Sequence, residues 1–253
     1  MKKNEFELIS LVITYYKKKK FLYKTLKSIL RQNYKNYEII FVYDDEDLTD
    51  LSFVKKKLSI FKKKKIIINK KNLGAAMSRN IAIRYCKGQY LAFIDSDDIW
   101  KKNKLYYQLK FMKNNAYLFS FTSYDIIDEN NHVLKKRVVK QDANYRNLLR
   151  SNFIGLSTVM MHKKLYKKFK FPHLKTQEDF ALWLKISKNG YRLRHIRKTL
   201  SYWRKTPSSL SSNSFRKLID AFKLYNIYQD KNFIFSIYSV LILSLNKLIK
   251  EIF

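Results

Sequence analysis

Residues 90–100 read YLAFIDSDDIW, five mostly apolar residues that run into three carboxylates, Asp95, Asp97 and Asp98, within four positions. The apolar part reads as a short strand buried in a sheet. Like charges packed at the end of a buried strand cost free energy unless a cation or hydrogen-bond donors compensate. A chain with 53 Lys and Arg against 20 Asp and Glu therefore concentrates acid where compensation has to be built.

The flanking sequence repeats the pattern. LISLVIT (8–14) and EIIFVY (38–43) are short, β-branched apolar runs, the second ending in Asp44 and Asp45. Between them Leu22, Leu26, Ile29 and Leu30 recur at the spacing of one apolar helix face. A helical segment near 49–61, a strand KIIIN at 65–69 and a helix from about Leu73 to Tyr85 lead back to residue 90. Strands alternating with helices predict an α/β fold with a parallel sheet covered on both faces. Ligands in such sheets bind beyond the carboxyl ends of the strands, and Thr14, Asp44 and Asp95 fall at those ends.

Beyond Asn103 the sequence predicts a helix to about Asn114, strands near 117–126 and 133–139, and a strand STVMMH at 157–162. After Pro172, QEDFALWLKISKNG (177–190) carries apolar residues on most sides and a terminal Gly190, the pattern of a buried helix with a stop. Two acids at the start of a buried helix are unusual. No Pro- or Gly-rich linker and no repeat divides the chain, so one catalytic domain is expected over residues 1–211 and a helical extension over 212–253.

The net charge of +33 suits nucleic acid, an anionic membrane surface or phosphorylated substrates. Heavy use of Lys, Asn, Ile, Phe and Tyr beside four Gly and two Pro is also what an AT-rich genome produces, so the charge alone does not select a partner. The single cysteine, Cys86, excludes an internal disulfide and a Cys-based metal site and fits a reducing, cytoplasmic setting. The N-terminus, MKKNEFELISLVITYY, is interrupted by Glu5, Glu7 and Ser10 and does not read as a signal peptide. NFIFSIYSVLILSLN (232–246) carries no charge yet falls short of the roughly 20 apolar residues that span a bilayer. Two readings are open for it: a helix in a membrane interface, also drawn to anionic lipid, or one packed on the main domain or another subunit.

The acids point to chemistry. Asp95 and Asp97, with Ser96 between them, form an Asp-x-Asp that can supply oxygen ligands to one Mg2+ or Mn2+, leaving positions for water and a diphosphate. The metal would stabilise the departing phosphate as a Lewis acid. The alternative is that Asp97 or Asp98 orders the turn or caps the helix beginning near Asn103. In NLGAAMSRN (72–80) small residues open a helix and Arg79 follows one turn later, able to pair with phosphate or with a carboxylate of the cluster. Asp44 suits the N–H of a uracil-like base or a ribose hydroxyl, or a turn shared with Asp45, Glu46 and Asp47.

The ordered set ITYYKKKKFL, TLKSILRQNYKNYEIIFVYDD, NLGAAMSRNIAI, YLAFIDSDDIW and QEDFALWLKI resembles the family 2 glycosyltransferases over about residues 6–211. That resemblance implies the GT-A nucleotide-diphospho-sugar transferase fold, a Rossmann-like mixed central sheet flanked by helices. It also implies inverting transfer from a nucleoside-diphosphate sugar, in the first instance a UDP-sugar, to a glycan or lipid-linked acceptor in bacterial surface polysaccharide synthesis. Position by position, Thr14 and Tyr16 match the loop that contacts the nucleobase and Asp44 the acid that reads the base. Arg79 matches the arginine of the small-residue segment, and Asp95, Ser96 and Asp97 match the Asp-x-Asp, with Asp97 the expected direct metal ligand. Asp179 matches the general base. In-line displacement at an anomeric carbon needs one carboxylate to take the acceptor's hydroxyl proton, while Glu178 suits the helix N-terminus.

Three departures from the family pattern stand out. Tyr43 replaces the first acid of the usual Asp-Asp pair, and Asp45-Glu46 replace its Gly-Ser. In WRKTPSSLS (203–211) Thr206 stands where the family has a histidine, leaving Arg204, Lys205, Ser209 or Ser211 to replace it. Against the enzyme reading stand a basic nucleic-acid-binding protein and an inactive glycosyltransferase-like scaffold at a membrane. The basic residues are spread in short Lys runs with no recognisable nucleic-acid module, so no nucleic-acid partner is expected. The four histidines show no ligand spacing and receive no role.

Overall fold

The computed structural model describes residues 7–206 and 214–252. The first half alternates strand and helix: β1 (Ile9–Tyr15), α1 (Lys19–Leu30), β2 (Tyr37–Tyr43), α2 (Leu51–Leu58), β3 (Lys64–Ile68), α3 (Ala75–Tyr85) and β4 (Tyr90–Asp95). The second half adds β5 (Ile99–Trp100), α4 (Lys104–Asn114), β6 (Phe119–Ile127), β7 (Val133–Arg137), α5 (Tyr145–Arg150), β8 (Met160–His162), α6 (Lys163–Lys168), α7 (Glu178–Lys188) and β9 (Arg194–Arg204). Helices α8 (Ser214–Lys223) and α9 (Phe233–Ile252) complete the chain, joined through a π-helical turn at Leu224–Tyr228.

The strands form one sheet in the order β3-β2-β1-β4-β8-β6-β9-β5, with β7 on β6. β1, β2, β3 and β4 run parallel, and Thr14 lies opposite both Val42 and Asp95. The carboxyl ends of β1, β2 and β4 are therefore level, and the loops that leave them border one cleft. β8 is antiparallel to β4 and to β6, β9 is parallel to β6, and β5 is antiparallel to β9, so the sheet is mixed.

Side chains in a strand alternate between faces, and the two faces of the sheet build two cores. Ile9, Leu11, Ile13 and Tyr15 of β1 pack with Leu22, Leu26 and Ile29 of α1, with α2 and with α4. Val12, with Leu91 and Phe93 of β4, packs against α3, α6 and α7 and reaches Leu224 and Tyr225 before α9. Burial on both faces explains why these strands read as unbroken apolar runs.

Three local expectations differ. The stretch 157–162 is a strand only over Met160–His162, because Leu156–Thr158 form a 3-10 turn whose Ser157 is bonded to the acidic turn after β4. The helix expected from Leu73 starts at Ala75, since the Leu73 N–H donates to Asp44 Oδ1 (2.8 Å) and Gly74 adopts φ 81°. β9 lies in RHIRKTLSYWR, where no strand is predicted: its register against β6 shifts twice around Ser123, which destroys the period-two pattern.

The end of the sheet opposite the cleft is closed by a buried polar network. Ser10 Oγ donates to Glu38 Oε1 (2.7 Å), which also accepts the Lys87 N–H, while the Gly88 N–H donates to Ser10 Oγ (2.9 Å). The Tyr166 hydroxyl donates to the Gly88 carbonyl. A Cβ on Gly88 would lie 2.6 Å from the Ser10 nitrogen and 2.7 Å from the Leu8 oxygen, both backbone atoms. Gly88→Ala is expected to cost about 1–3 kcal/mol, seen as a lower urea midpoint with an unchanged slope.

Candidate active site

The turn that ends β4 is fixed from every side. The Asp98 N–H donates to the Asp95 carbonyl (3.1 Å), and Thr25 Oγ1 of α1 lies 3.0 and 2.8 Å from the Ser96 and Asp98 carbonyls. Ser157 Oγ donates to Asp98 Oδ2 (2.5 Å) and accepts the Asp95 N–H (3.1 Å). The Arg204 N–H donates to Asp98 Oδ1 (2.9 Å), and its Nε donates to the Asp97 carbonyl (2.8 Å). Asp98 is thus a buried turn residue and not a helix cap. Burial first, then Asp97 and Asp95, push its carboxyl well above the usual range.

With the turn held, Asp95 and Asp97 remain at the cleft. Arg79 of α3 is buried, and its Nη2 donates to Asp95 Oδ1 (2.8 Å) while Nη1 pairs with Glu178. Burial would discharge the guanidinium, but Asp95 and Glu178 outweigh it and raise its pKa. Of the two roles open to Arg79, pairing with the acidic cluster is the one seen, and Glu178 is its second partner. Gln177, at φ 60°, turns the chain into α7. Asp179 comes next, partly exposed, with Oδ1 accepting the Phe180 N–H (2.7 Å). Burial, and next the Glu178 charge, raise its carboxyl to about 7 against the pull of Arg79.

Asp97 has a cation that no sequence motif marks. Lys18 Nζ lies 3.0 Å from Asp97 Oδ2 and donates to Thr206 Oγ1 (3.1 Å). Lys18 belongs to a run of four lysines that reads as a solvated loop or helix start, and nothing in the run distinguishes one member. Thr206, in the histidine's position, is buried. Arg204 is also buried, its Nη1 and Nη2 engaged by the Asp128 carbonyl (2.5 Å) and Asn131 Oδ1 (2.8 Å), so it does not face the cleft as a substitute. Ser209 and Ser211, and the expected boundary at residue 211, lie outside the described residues. Burial and Asp95 raise the Asp97 carboxyl, and Lys18 opposes them.

The remaining predicted positions surround this core. Thr14, next to last in β1, lies in register with Asp95, and Tyr16, just past the strand, is exposed. Asp44 is buried, with Oδ1 accepting both Asn69 Nδ2 (2.7 Å) and the Leu73 N–H. Ser96 is buried in the turn. Among the described residues no group of three or more His, Cys, Asp or Glu side chains is arranged to hold a metal. Asp95 and Asp97 are nevertheless hard oxygen donors on one rigid turn, close enough for Asp95 to raise the pKa of Asp97. Such a pair fits Mg2+ or Mn2+ whose other ligands are water and substrate phosphate.

A mixed sheet with its acids gathered beyond β1, β2 and β4 is the arrangement that the resemblance to the family 2 glycosyltransferases implies, and similarity to known proteins agrees. Residues 10–174 match the profile of Glycosyl transferase family 2. The UDP-Glc:alpha-D-GlcNAc-diphosphoundecaprenol beta-1,3-glucosyltransferase WfaP of Escherichia coli is 36% identical over 84% of this chain and 83% of its own. The putative teichuronic acid biosynthesis glycosyltransferase TuaG of Bacillus subtilis is 30% identical over 88% of each chain. The chain belongs to glycosyl transferase family 2. Its fold is GT-A: S. aureus TarS 1–349 with UDP superimposes with a TM-score of 0.66 at 19% identity, over 92% of this chain and 69% of that one. The mannosyltransferase PcManGT of Pyrobaculum calidifontis, with GDP-Man and Mn2+, gives 0.68 at 16% identity, over 88% and 64%.

The raised pKa of Asp179 has a thermodynamic consequence. From its ordinary value of 3.8 to about 7 the native carboxyl keeps a proton that the unfolded chain has released, so its contribution to stability falls as pH rises through that window. The penalty is absent below pH ~4 and complete above ~7. Asp179→Asn is expected to gain stability over wild type at pH 8 and not at pH 4, with about 1.4 kcal/mol per unit of pKa difference as the scale. Urea unfolding of both proteins across this range checks it.

Proposed function

We propose that this chain is an inverting, metal-dependent glycosyltransferase that moves a hexose or N-acetylhexosamine from a UDP-sugar to a hydroxyl of a lipid-linked glycan. Its setting is bacterial surface polysaccharide synthesis at the inner face of the cytoplasmic membrane. The observation that carries the reading is Arg79, which ties Asp95 of the Asp-x-Asp to Glu178, next to the titratable Asp179. One buried cation thereby fixes a donor carboxylate relative to a base. The relatives support the substrate classes: WfaP and WfgD of Escherichia coli, the latter 35% identical, are by name transferases from UDP-Glc to a diphosphoundecaprenol-linked sugar.

In this reading Thr14, Tyr16 and Asp44 receive the nucleoside, Ser96 holds the turn, and Asp95 and Asp97 hold Mn2+ or Mg2+. The ion, when bound, supplies Lewis-acid stabilisation of the departing diphosphate. Asp179 accepts the proton of the acceptor hydroxyl on the face of the sugar opposite the diphosphate. A carboxyl with a pKa of about 7 is matched to that task near neutral pH. Arg79 offsets the charge of Glu178, so that the neighbouring acid does not silence the base. Lys18, held between Asp97 and Thr206, is the cation this reading assigns to the diphosphate, Thr206 standing where the family has a histidine.

Release of UDP from a panel of UDP-sugars, with and without Mn2+, tests the class. Metal-stimulated release is expected, and its absence for every nucleotide sugar tried would remove the enzyme reading. Asp179→Asn is expected to reduce turnover at least about 100-fold, within the usual reach of general-base catalysis, while UDP binding by calorimetry stays within about twofold. Unchanged turnover would disprove the base assignment. Lys18→Met is expected to weaken UDP binding about 10-fold or more, the scale of one charge-assisted hydrogen bond.

A further inference from the structure

Helix α9 is turned inside out. Its buried side presents Ser236 and Ser239, 0% and 4% exposed, with Val240 and Leu243 packed on the main core, and Asn246 Nδ2 donates to the Arg150 carbonyl of α5 (2.8 Å). Its outer side presents Ile234, Ile237, Tyr238, Leu241 and Leu245, between 43% and 79% exposed. These five fall at helical spacing on one face. Phe215 of α8 is 75% exposed, and more than half of the large apolar side chains exposed among the described residues lie beyond residue 213. An apolar surface of this kind marks an interaction site.

We propose that α8 and α9 form a platform that seats the enzyme on an anionic bilayer, a reading that rests on the lipid-linked acceptor of the proposed function. Charge selects this occupant over a second copy: two chains of +33 repel, whereas an anionic leaflet attracts. Residues 214–246 carry four basic residues, Arg216, Lys217, Lys223 and Lys231, and two acids. Of those, Asp220 is buried and accepts Thr176 N and Oγ1, leaving Asp230 as the exposed one. Tyr228 and Tyr238 are exposed among the aliphatic residues and suit the headgroup level.

Length decides the orientation. From Ile234 to Leu245 the helix rises roughly 17 Å at 1.5 Å per residue, about half of a hydrocarbon core. No helix among the described residues is long and apolar enough to cross a membrane. The helix therefore lies in the plane of the interface.

The platform is also bolted to the catalytic segment. Asp220 Oδ2 accepts the Thr176 N–H (2.9 Å) and hydroxyl (2.8 Å), and the Lys217 carbonyl accepts Gln177 Nε2 (2.9 Å). Thr176 and Gln177 lead directly into Glu178 and Asp179. A surface that docks through α8 thus holds the base at a fixed height above the leaflet that carries the acceptor.

Co-flotation of the full chain with phosphatidylcholine vesicles, with and without phosphatidylglycerol, tests this. Binding is expected only with phosphatidylglycerol, weakening as salt rises. The exposed double change Ile234→Glu/Leu241→Glu is expected to reduce it at least about 10-fold, with the melting midpoint and metal-stimulated UDP release in vesicle-free buffer unchanged. Two results would overturn the proposal: no flotation of the wild type with either vesicle, or a stable homodimer by sedimentation that the double change breaks. UDP release without flotation sinks this inference alone, and flotation without UDP release sinks the enzymatic reading alone.

Discussion

The buried guanidinium of Arg79 is the constraint on which the site depends. It lies on a helix that starts only after Gly74 and is surrounded by protein, yet stays charged because Asp95 and Glu178 flank it. A buried ion pair of this kind contributes little to net stability, but losing one partner strands a charge. Removing Arg79 would leave two carboxylates facing each other across the cleft, so the arrangement of α3, β4 and α7 and that of the acids are one property. The left-handed Gln177 before α7 belongs to the same constraint, since consecutive residues beyond it take different partners, Glu178 the Arg79 guanidinium and Asp179 the Phe180 N–H.

The second requirement is a turn that does not yield when its acids repel. Asp98 meets it by facing inward, where Ser157 and the Arg204 backbone satisfy both its oxygens. Ser157 in turn binds Asp95, and its carbonyl accepts Trp100 Nε1 and the Ser201 hydroxyl. Strands β4, β5 and β9 are thereby joined through one small side chain and its carbonyl. Asp95 and Asp97 are left at the cleft because a third acid holds the turn.

Much of the fold was legible because the first four strands are buried on both faces, and that burial writes itself as short apolar runs separated by amphipathic helices. β9 was not legible, because its two register shifts scramble the alternation, and the 3-10 turn at Ser157 was not, because its role is defined by partners about 60 residues away. Within the site the acids announced themselves by standing at the ends of apolar runs. Lys18 did not. In a chain with this many lysines, one that enters the candidate site is distinguishable only by what it touches, here Asp97 and Thr206. Glu178 reads as a helix-terminus acid in the sequence because its partner, Arg79, lies 99 positions earlier.

The cleft inverts the electrostatics of the chain around it. Asp95, Asp97 and Asp179 border it with the buried Asp98 and Glu178 behind them, and among the described residues two side-chain cations pair with this group, Arg79 and Lys18, in a protein of net charge +33. A uniformly basic pocket would attract a diphosphate but could not hold a divalent ion on it. A uniformly acidic molecule would hold the ion but repel the nucleotide over the distance of a Debye length. For the proposed reaction, an acidic pocket in a basic body separates the two demands by range: the distant field would favour an anionic nucleotide, and the fixed carboxylates would act only at contact. The proposed membrane platform draws on the same basic composition, so under the proposed function nucleotide attraction and membrane seating would not compete for the acids of the cleft.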